Sequence, residues 1–214
     1  MNNPFENIVP RDNELMVNEQ SINVIADKIK ERIKNNRLII LEGSYGIGKS
    51  LYLDRLFKRL KTKKDLIEFS DTIISVLESK VPVKNKTFFI NNFDLIQGLN
   101  EKQLIRLTEV ITKHLNEGVI FVVACRKDTV NLLLKINPLF HSKVNRLRLP
   151  SLSFNETKEL IINRLNEARK KKSDSLSPFT NDELKLFWDK SKGNPRMLLL
   201  LLNPLYEQRM MLKY

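Results

Sequence analysis

The chain has 214 residues, of which 42% are hydrophobic and 29% charged; that is ordinary globular usage, and it excludes wholesale disorder while allowing one large domain or a domain with a small appendage. Thirty-seven Lys and Arg against 25 Asp and Glu leave a net charge of +12, which favours polyanionic partners, although a Lys- and Ile-rich background composition has the same effect. The single cysteine, Cys125, excludes an internal disulfide, and no Cys/His cluster has the spacing of zinc ligands.

Residues 1–20 mix acidic and polar groups and lack the basic-then-apolar pattern of a secretory signal. After the polar start Met1–Asn13, Ile22, Ile25, Ile29 and Ile33 recur at helical spacing. Arg37–Glu42 is the first strand: its centre Leu38–Leu41 is a short apolar run stopped by glycine, as in a buried parallel strand. A second helix carries Leu53, Leu56, Phe57 and Leu60 on one side. Leu66–Phe69 is a weaker strand, Asp71–Lys80 a short helix, and Thr87–Ile90 a buried strand followed by a polar corner.

The helix Glu101–Glu117, with Leu104, Leu107, Ile111 and Leu115 on one face, ends at Gly118. The strand Val119–Val123, the helix Asp128–Ile136 and the strand Val144–Leu149 complete the alternation. Strands alternating with helices predict an α/β fold with a parallel sheet. After Pro150 only helical patterns remain. Ser153–Glu156 and Thr180–Glu183 are capping boxes opening two of them, and a basic, Ser-rich stretch between these helices, Lys170–Pro178, reads as a mobile loop. Asn194 and Pro195 suit the cap and first turn of a final helix through Leu202. The expected division is an α/β core over residues 1–150 and a small helical domain over 151–214. The longest apolar run, Met197–Leu202, is too short to span a membrane, so a cytoplasmic protein with no membrane partner is expected.

Gly43-Ser44-Tyr45-Gly46-Ile47-Gly48-Lys49-Ser50 fits G-x-x-x-x-G-K-[ST]. It lies between a strand and a helix, where such a loop can wrap backbone N–H groups around phosphate oxygens and use the positive end of the helix. Glycine permits the curvature. Lys49 is placed to reach the β- and γ-phosphates of ATP and Ser50 to hold Mg²⁺, and Leu51, next in the chain, is counted with the nucleotide-binding residues.

With that loop placed, the remaining motifs resemble the AAA+ superfamily of P-loop ATPases, and within it the initiator and helicase-loader branch. The resemblance covers about residues 5–205. Val9-Pro10-Arg11-Asp12-Asn13-Glu14-Leu15 is similar to the segment these proteins lay against the adenine, which implies nucleotide contacts from Pro10 and Arg11. Thr87–Asp94 is similar to the Walker B strand, Val123–Arg126 to the sensor 1 strand end, and Gly193-Asn194-Pro195-Arg196 to the sensor 2 start of a lid helix. The resemblance implies that Arg196 reaches the γ-phosphate, that ATP, ADP and Mg²⁺ are bound, and that the chain works with DNA, with a protein partner such as a helicase or initiator, or as a homo-oligomer. Initiators of the branch carry a DNA-binding domain after the lid, and here that domain is expected to be missing.

Three positions depart from the family pattern. Asn91 falls on the aspartate that holds Mg²⁺ through water, and Asn92 on the glutamate that polarises the attacking water. An amide oxygen is neutral and holds hydrated Mg²⁺ less firmly than a carboxylate, and an amide cannot accept a proton. Asp94 either substitutes or packs structurally. On this reading intrinsic hydrolysis is weak, and Asn91→Asp with Asn92→Glu raises it. Cys125 stands where sensor 1 has Thr, Ser or Asn, as a poor hydrogen-bond donor or simply a small buried residue, with Arg126 beside it for polar work. Lys143 lies near the place of the family's arginine finger, as a point charge or as a plain surface lysine.

The stretches Arg55–Lys64 and Arg164–Lys172, with Arg146 and Arg148, are dense in positive charge. They read either as a phosphate-backbone surface or as solvated helix faces, and no helix-turn-helix pattern accompanies them. His114 and His141 receive no role, and Trp188 with Phe187 reads as lid core. Two readings remain: an ATP-dependent DNA factor, favoured by charge and motif order, and a non-hydrolysing nucleotide switch or scaffold that binds a partner protein, favoured by Asn91-Asn92. A small-molecule kinase fits poorly, since Gly193–Arg196 would then go unexplained.

Overall fold

The structure is a computed structural model that describes residues 3–7, 19–32 and 37–211. Among them the chain forms two compact units. The larger holds the described residues of Ser21–Tyr45 and Lys49–Leu149, and the smaller holds residues 3–7, 19–20, Gly46–Gly48 and 150–211. No helix of the described residues is long and apolar enough to cross a membrane.

The larger unit is built on five parallel strands, β1 Leu38–Glu42, β2 Lys64–Glu68, β3 Thr87–Asn91, β4 Ile120–Cys125 and β5 Val144–Arg148, in the order β2-β3-β4-β1-β5. β1 and β4 are buried along their whole length, as their unbroken apolar runs require. β2 and β5 lie at the borders and carry the polar alternation of half-exposed strands. The helices α1 Glu19–Arg32, α2 Lys49–Arg59, α3 Ile73–Ser79, α4 Glu101–Asn116, α5 Lys127–Ile136 and the short α6 Phe140–Lys143 connect them. The core between sheet and helices centres on Phe88 and Phe121, with His114 buried edge-on against both rings and its Nε2 2.9 Å from the Leu77 carbonyl.

Sequence patterning and structure differ at element ends. The polar corner after β3 is a 3-10 helix, Phe93–Gly98, whose Phe93 and Ile96 are buried. α4 opens on a third capping box, in which Asn100 accepts from the Gln103 backbone N–H and Gln103 accepts from that of Asn100. β4 runs on to Cys125 because Ala124 and Cys125 continue its buried face.

The smaller unit packs α7 Phe154–Ala168, α8 Asn181–Ser191 and α9 Pro195–Met211 around Leu160, Ile161, Leu184, Leu198 and Leu202, joined by Phe5 edge-on against Phe179 and Tyr206. Both expected capping boxes form. α7 ends at Ala168, and the Arg169 guanidinium just beyond it donates to the carbonyls of Ser173, Ser175 and Ser177 in the basic stretch that follows. α9 begins as expected, with Asn194 Oδ1 accepting from the Met197 N–H, but continues past Leu202 and through Pro204 to Met211. Burial of Leu202 and Tyr206 one turn apart outweighs the hydrogen bond that Pro204 cannot donate. Trp188, half-buried, donates from its indole N–H to the Leu152 carbonyl and stacks edge-on with Phe154.

Arg209 joins α9 to the start of α8 by a forked pair with Glu183, which also caps Thr180. The guanidinium is the main cause that holds Glu183 near 2, below its usual 4.5. A depressed carboxylate stabilises the fold fully above about pH 4.5, and that contribution is lost as pH falls toward 2. Wild-type Tm is therefore expected to drop across that window. Arg209→Met, followed by circular dichroism melts at successive pH values, is expected to flatten most of the drop. An unchanged slope would assign the acid sensitivity to other groups.

Candidate functional site

The carboxyl ends of parallel strands are where open α/β sheets gather ligands, and Gly43, Asn91, Asn92, Cys125 and Arg126 lie at or just past the ends of β1, β3 and β4. The phosphate-loop sequence leaves the end of β1. Gly43 donates its N–H to the Cys125 carbonyl at 3.1 Å, which fixes the loop's first residue against β4. Gly46 and Gly48 have φ of +81° and +96°, values open to glycine; Gly48 is the motif's second glycine, and Gly46 stands at one of its unspecified positions. Ile47 is buried, while Ser44 and Tyr45 are exposed. Lys49 and Ser50 begin α2, with Ser50 exposed in the first turn and Leu51 half-buried behind it.

Lys49 is held by its own loop and by the segment after β3. Its Nζ lies 3.2 Å from the Gly43 carbonyl, 3.3 Å from that of Ser44, and 3.3 Å from Asp94 Oδ2. Asp94 is a junction: its Oδ1 accepts from the Arg126 backbone N–H and the Thr129 hydroxyl, both at 2.7 Å, and the Arg126 Nε stands 3.7 Å away. Gln97 extends the cluster, with its amide donating to Asp128 and Thr129 and its oxygen accepting from Arg126. Arg126 thus works as a linker between Asp94, Gln97 and Asp128. Hydrogen bonding from Gln97 is the leading cause that lowers the Asp128 carboxyl from its ordinary value.

Asn91, the last residue of β3, donates from Nδ2 to Glu68 Oε1 at 3.0 Å. Its Oδ1 is buried and has no hydrogen-bond partner among the described residues. Asn92 donates from Nδ2 to Glu68 Oε2 at 3.1 Å. Burial, helped by the charge of Asp94, pushes the Cys125 thiol far above its usual range, so it stays protonated and packs as a small buried side chain. Lys143 donates to Asn116 Oδ1 at 2.7 Å.

In the smaller unit Arg196 lies in the first turn of α9, and its N–H donates to the Gly46 carbonyl at 3.4 Å. A Cβ added at Gly46 would lie 2.6 Å from the Arg196 Cβ and 2.9 Å from Asn194 Oδ1, so no side chain fits there. Pro10 and Arg11, with the whole segment Val9–Leu15, fall outside the described residues.

Sequence reasoning missed two acidic residues. Glu68 sits at the end of the weak strand β2, and its only sequence signal is a charge set between the apolar Ile67 and Phe69. Glu42, nearly buried at the end of β1, faces Arg146 at 3.6 Å and Arg148 at 3.5 Å. Those arginines therefore compensate a buried carboxylate, and do not simply add to a basic surface. The other basic stretches are likewise partly committed. Arg164 is buried and donates to the carbonyls of Pro4 and Asn7. Lys64 donates to the Phe57 and Leu60 carbonyls at the end of α2, where a cation is favoured, and Lys58 pairs with Asp54.

Protein-family models and curated protein sequences give no match to the chain. Solved structures do. The RuvB Holliday junction branch migration motor of Thermotoga maritima superposes with a TM-score of 0.55 at 17% identity over 96% of this chain, which spans 64% of that one. The Orc1 protein of Aeropyrum pernix in complex with DNA gives 0.53 at 15% identity over 90% of this chain and 60% of that one. Hsp104 gives 0.54 at 12% identity over 71% of this chain and 30% of that one. At such identities the likeness speaks for architecture: the chain has the α/β P-loop fold of the AAA+ ATPases.

Proposed function

We propose that the chain binds ATP and ADP with Mg²⁺ in the loop Gly43–Ser50 and acts in a DNA transaction as an initiator- or loader-like factor. The observation that carries nucleotide binding is the loop itself: a positive φ at the motif's second glycine, Gly48, and at Gly46 within the loop, with Lys49 at the head of α2, its ammonium held beside the Gly43 and Ser44 carbonyls. The residues present fit a hydrated Mg²⁺, since the Ser50 hydroxyl is exposed and the unpartnered Asn91 Oδ1 is a neutral oxygen of the kind Mg²⁺ accepts through water. Mg²⁺ when bound offsets phosphate charge. Lys49 supplies the fixed cation, Leu51 supports the cradle, Arg196 senses the γ-phosphate, and Pro10 and Arg11 flank the base. Asp94 orients Lys49 and Arg126. A cytoplasmic setting, a second copy of the chain and a helicase or initiator partner belong to the same reading, supported by the folds of RuvB and of Orc1 with DNA.

A second reading, a nucleotide-dependent switch or scaffold that binds a partner protein without hydrolysis, is favoured by the amides at Asn91 and Asn92 and by the arginines diverted to Glu42 and to buried carbonyls. One titration series separates the two. Duplex and single-stranded DNA affinities are measured against salt with ADP, with ATP and with Arg196→Ala. A DNA factor is expected to show affinity falling steeply with salt and rising with ATP. In Arg196→Ala, ATP affinity should fall more than ADP affinity, and the ATP effect on DNA should disappear. Salt-independent, nucleotide-independent DNA binding would favour the second reading, and equal losses of ATP and ADP would remove Arg196 from the γ-phosphate.

A further inference from the structure

Consecutive residues of an extended strand point to opposite faces, so two adjacent asparagines cannot ordinarily hold one group between them. Here they do. Asn92 adopts φ +54° and ψ +30°, a left-handed conformation that asparagine tolerates better than most residues, and this breaks the alternation at the end of β3. Both side-chain amides then reach the carboxylate of Glu68, which sits beside Asn91 in the β2–β3 register.

Two neutral amides orient a carboxylate without neutralising it, and among the described residues no lysine or arginine pairs with Glu68. Each oxygen keeps a lone pair for a further donor. Glu68 is exposed, so water reaches it, and the unpartnered Asn91 Oδ1 lies one side chain away at the same carboxyl edge of the sheet. The acid absent from β3 is therefore present on the neighbouring strand, aimed by the residues that stand in its usual place.

We propose that Glu68 is the general base for ATP hydrolysis in this chain, an inference that rests on the ATP-binding reading above. Glu68 accepts a proton from a water molecule as the water oxygen bonds to the γ-phosphorus. The bond from that phosphorus to the β,γ-bridging oxygen breaks, and ADP leaves with the electron pair. Asn91 and Asn92 are positioning residues that hold the carboxylate toward the water. This revises the expectation that Asn91→Asp with Asn92→Glu raises turnover. With Glu68 retained, that pair would replace the two amides that now donate to Glu68 by two carboxylates, exchanging hydrogen bonds for like-charge repulsion.

The test uses the full chain, with and without DNA, and reads ATP affinity with a fluorescent ATP analogue and phosphate release at saturating ATP. Glu68→Gln, nearly isosteric, is expected to keep ATP affinity and lower kcat by about a hundredfold or more, the usual share of a general base. Asn91→Asp with Asn92→Glu should release phosphate more slowly than wild type, and adding Glu68→Asn, which moves the acid to β3, should recover the rate. Equal kcat in Glu68→Gln and wild type would overturn the proposal, as would ATP binding by wild type with no phosphate release, or faster release from the double variant with Glu68 in place. Wild type that fails to bind ATP at all would refute the nucleotide reading itself, a result the affinity measurement separates from the others.

Discussion

Lys49→Ala is expected to weaken ATP binding by about two to four orders of magnitude in Kd, because a lysine reaching two phosphates gives two charge-assisted hydrogen bonds of ~1.5–3 kcal/mol each. Its ammonium already sits against the carbonyls of Gly43 and Ser44, so a modest turn of the side chain would bring it to bound phosphate. The change also leaves Asp94 without its lysine partner, so the variant needs a stability control. Isothermal titration calorimetry with ATP and ADP, beside a urea unfolding curve, separates lost phosphate contact from a damaged fold. Unchanged affinity in a folded Lys49→Ala chain would mean that the loop is only a tight β–α turn.

The second large effect is on stability. Asp94→Ala removes the shared acceptor of the Arg126 backbone N–H and the fully buried Thr129 hydroxyl, together with the counter-charge of Lys49. Leaving buried donors without an acceptor costs about 1–3 kcal/mol each, so a loss of about 2–4 kcal/mol is expected after allowing for water near the half-buried carboxylate. Asp94→Asn keeps an acceptor oxygen and should lose less than half as much. Urea midpoints decide the matter. An Asp94→Ala midpoint within error of wild type would show that the cluster relaxes around the gap, and that Asp94 serves ligand rather than fold.

The glycine-rich turn from β1 into α2, the parallel sheet and two capping boxes were legible because each is written in local sequence: glycine spacing, unbroken apolar runs, Ser or Thr followed by Glu three residues on. The polar corner after β3 was not, because its 3-10 turn depends on Phe93 and Ile96 finding the core. Continuation of α9 through Pro204 was missed for a similar reason, since a local breaker is outweighed by burial of Tyr206 one half-turn beyond it. Asp94 read as either a substitute acid or a packing residue; its contacts with Lys49, Arg126 and Thr129 come from three separate segments that no spacing rule brings together. Glu68 was hidden further still. Its meaning depends on a neighbour 23 positions along the chain and on the left-handed backbone of Asn92, neither of which hydropathy encodes. The charge excess was plain, but which cations are committed indoors was not: Arg164 lies in the most basic run of the lid and is wholly buried.

β2 is the outermost strand of the sheet and bonds to β3 alone. The loop proposed to hold phosphate leaves β1, three strands further in with β3 and β4 between. If the proton acceptor for hydrolysis sits on that border, peeling or clamping the margin would switch turnover off or on while the triphosphate stayed bound. Retention and consumption of fuel would then answer to different parts of the molecule, and an associating protein could govern the second without ever approaching the first.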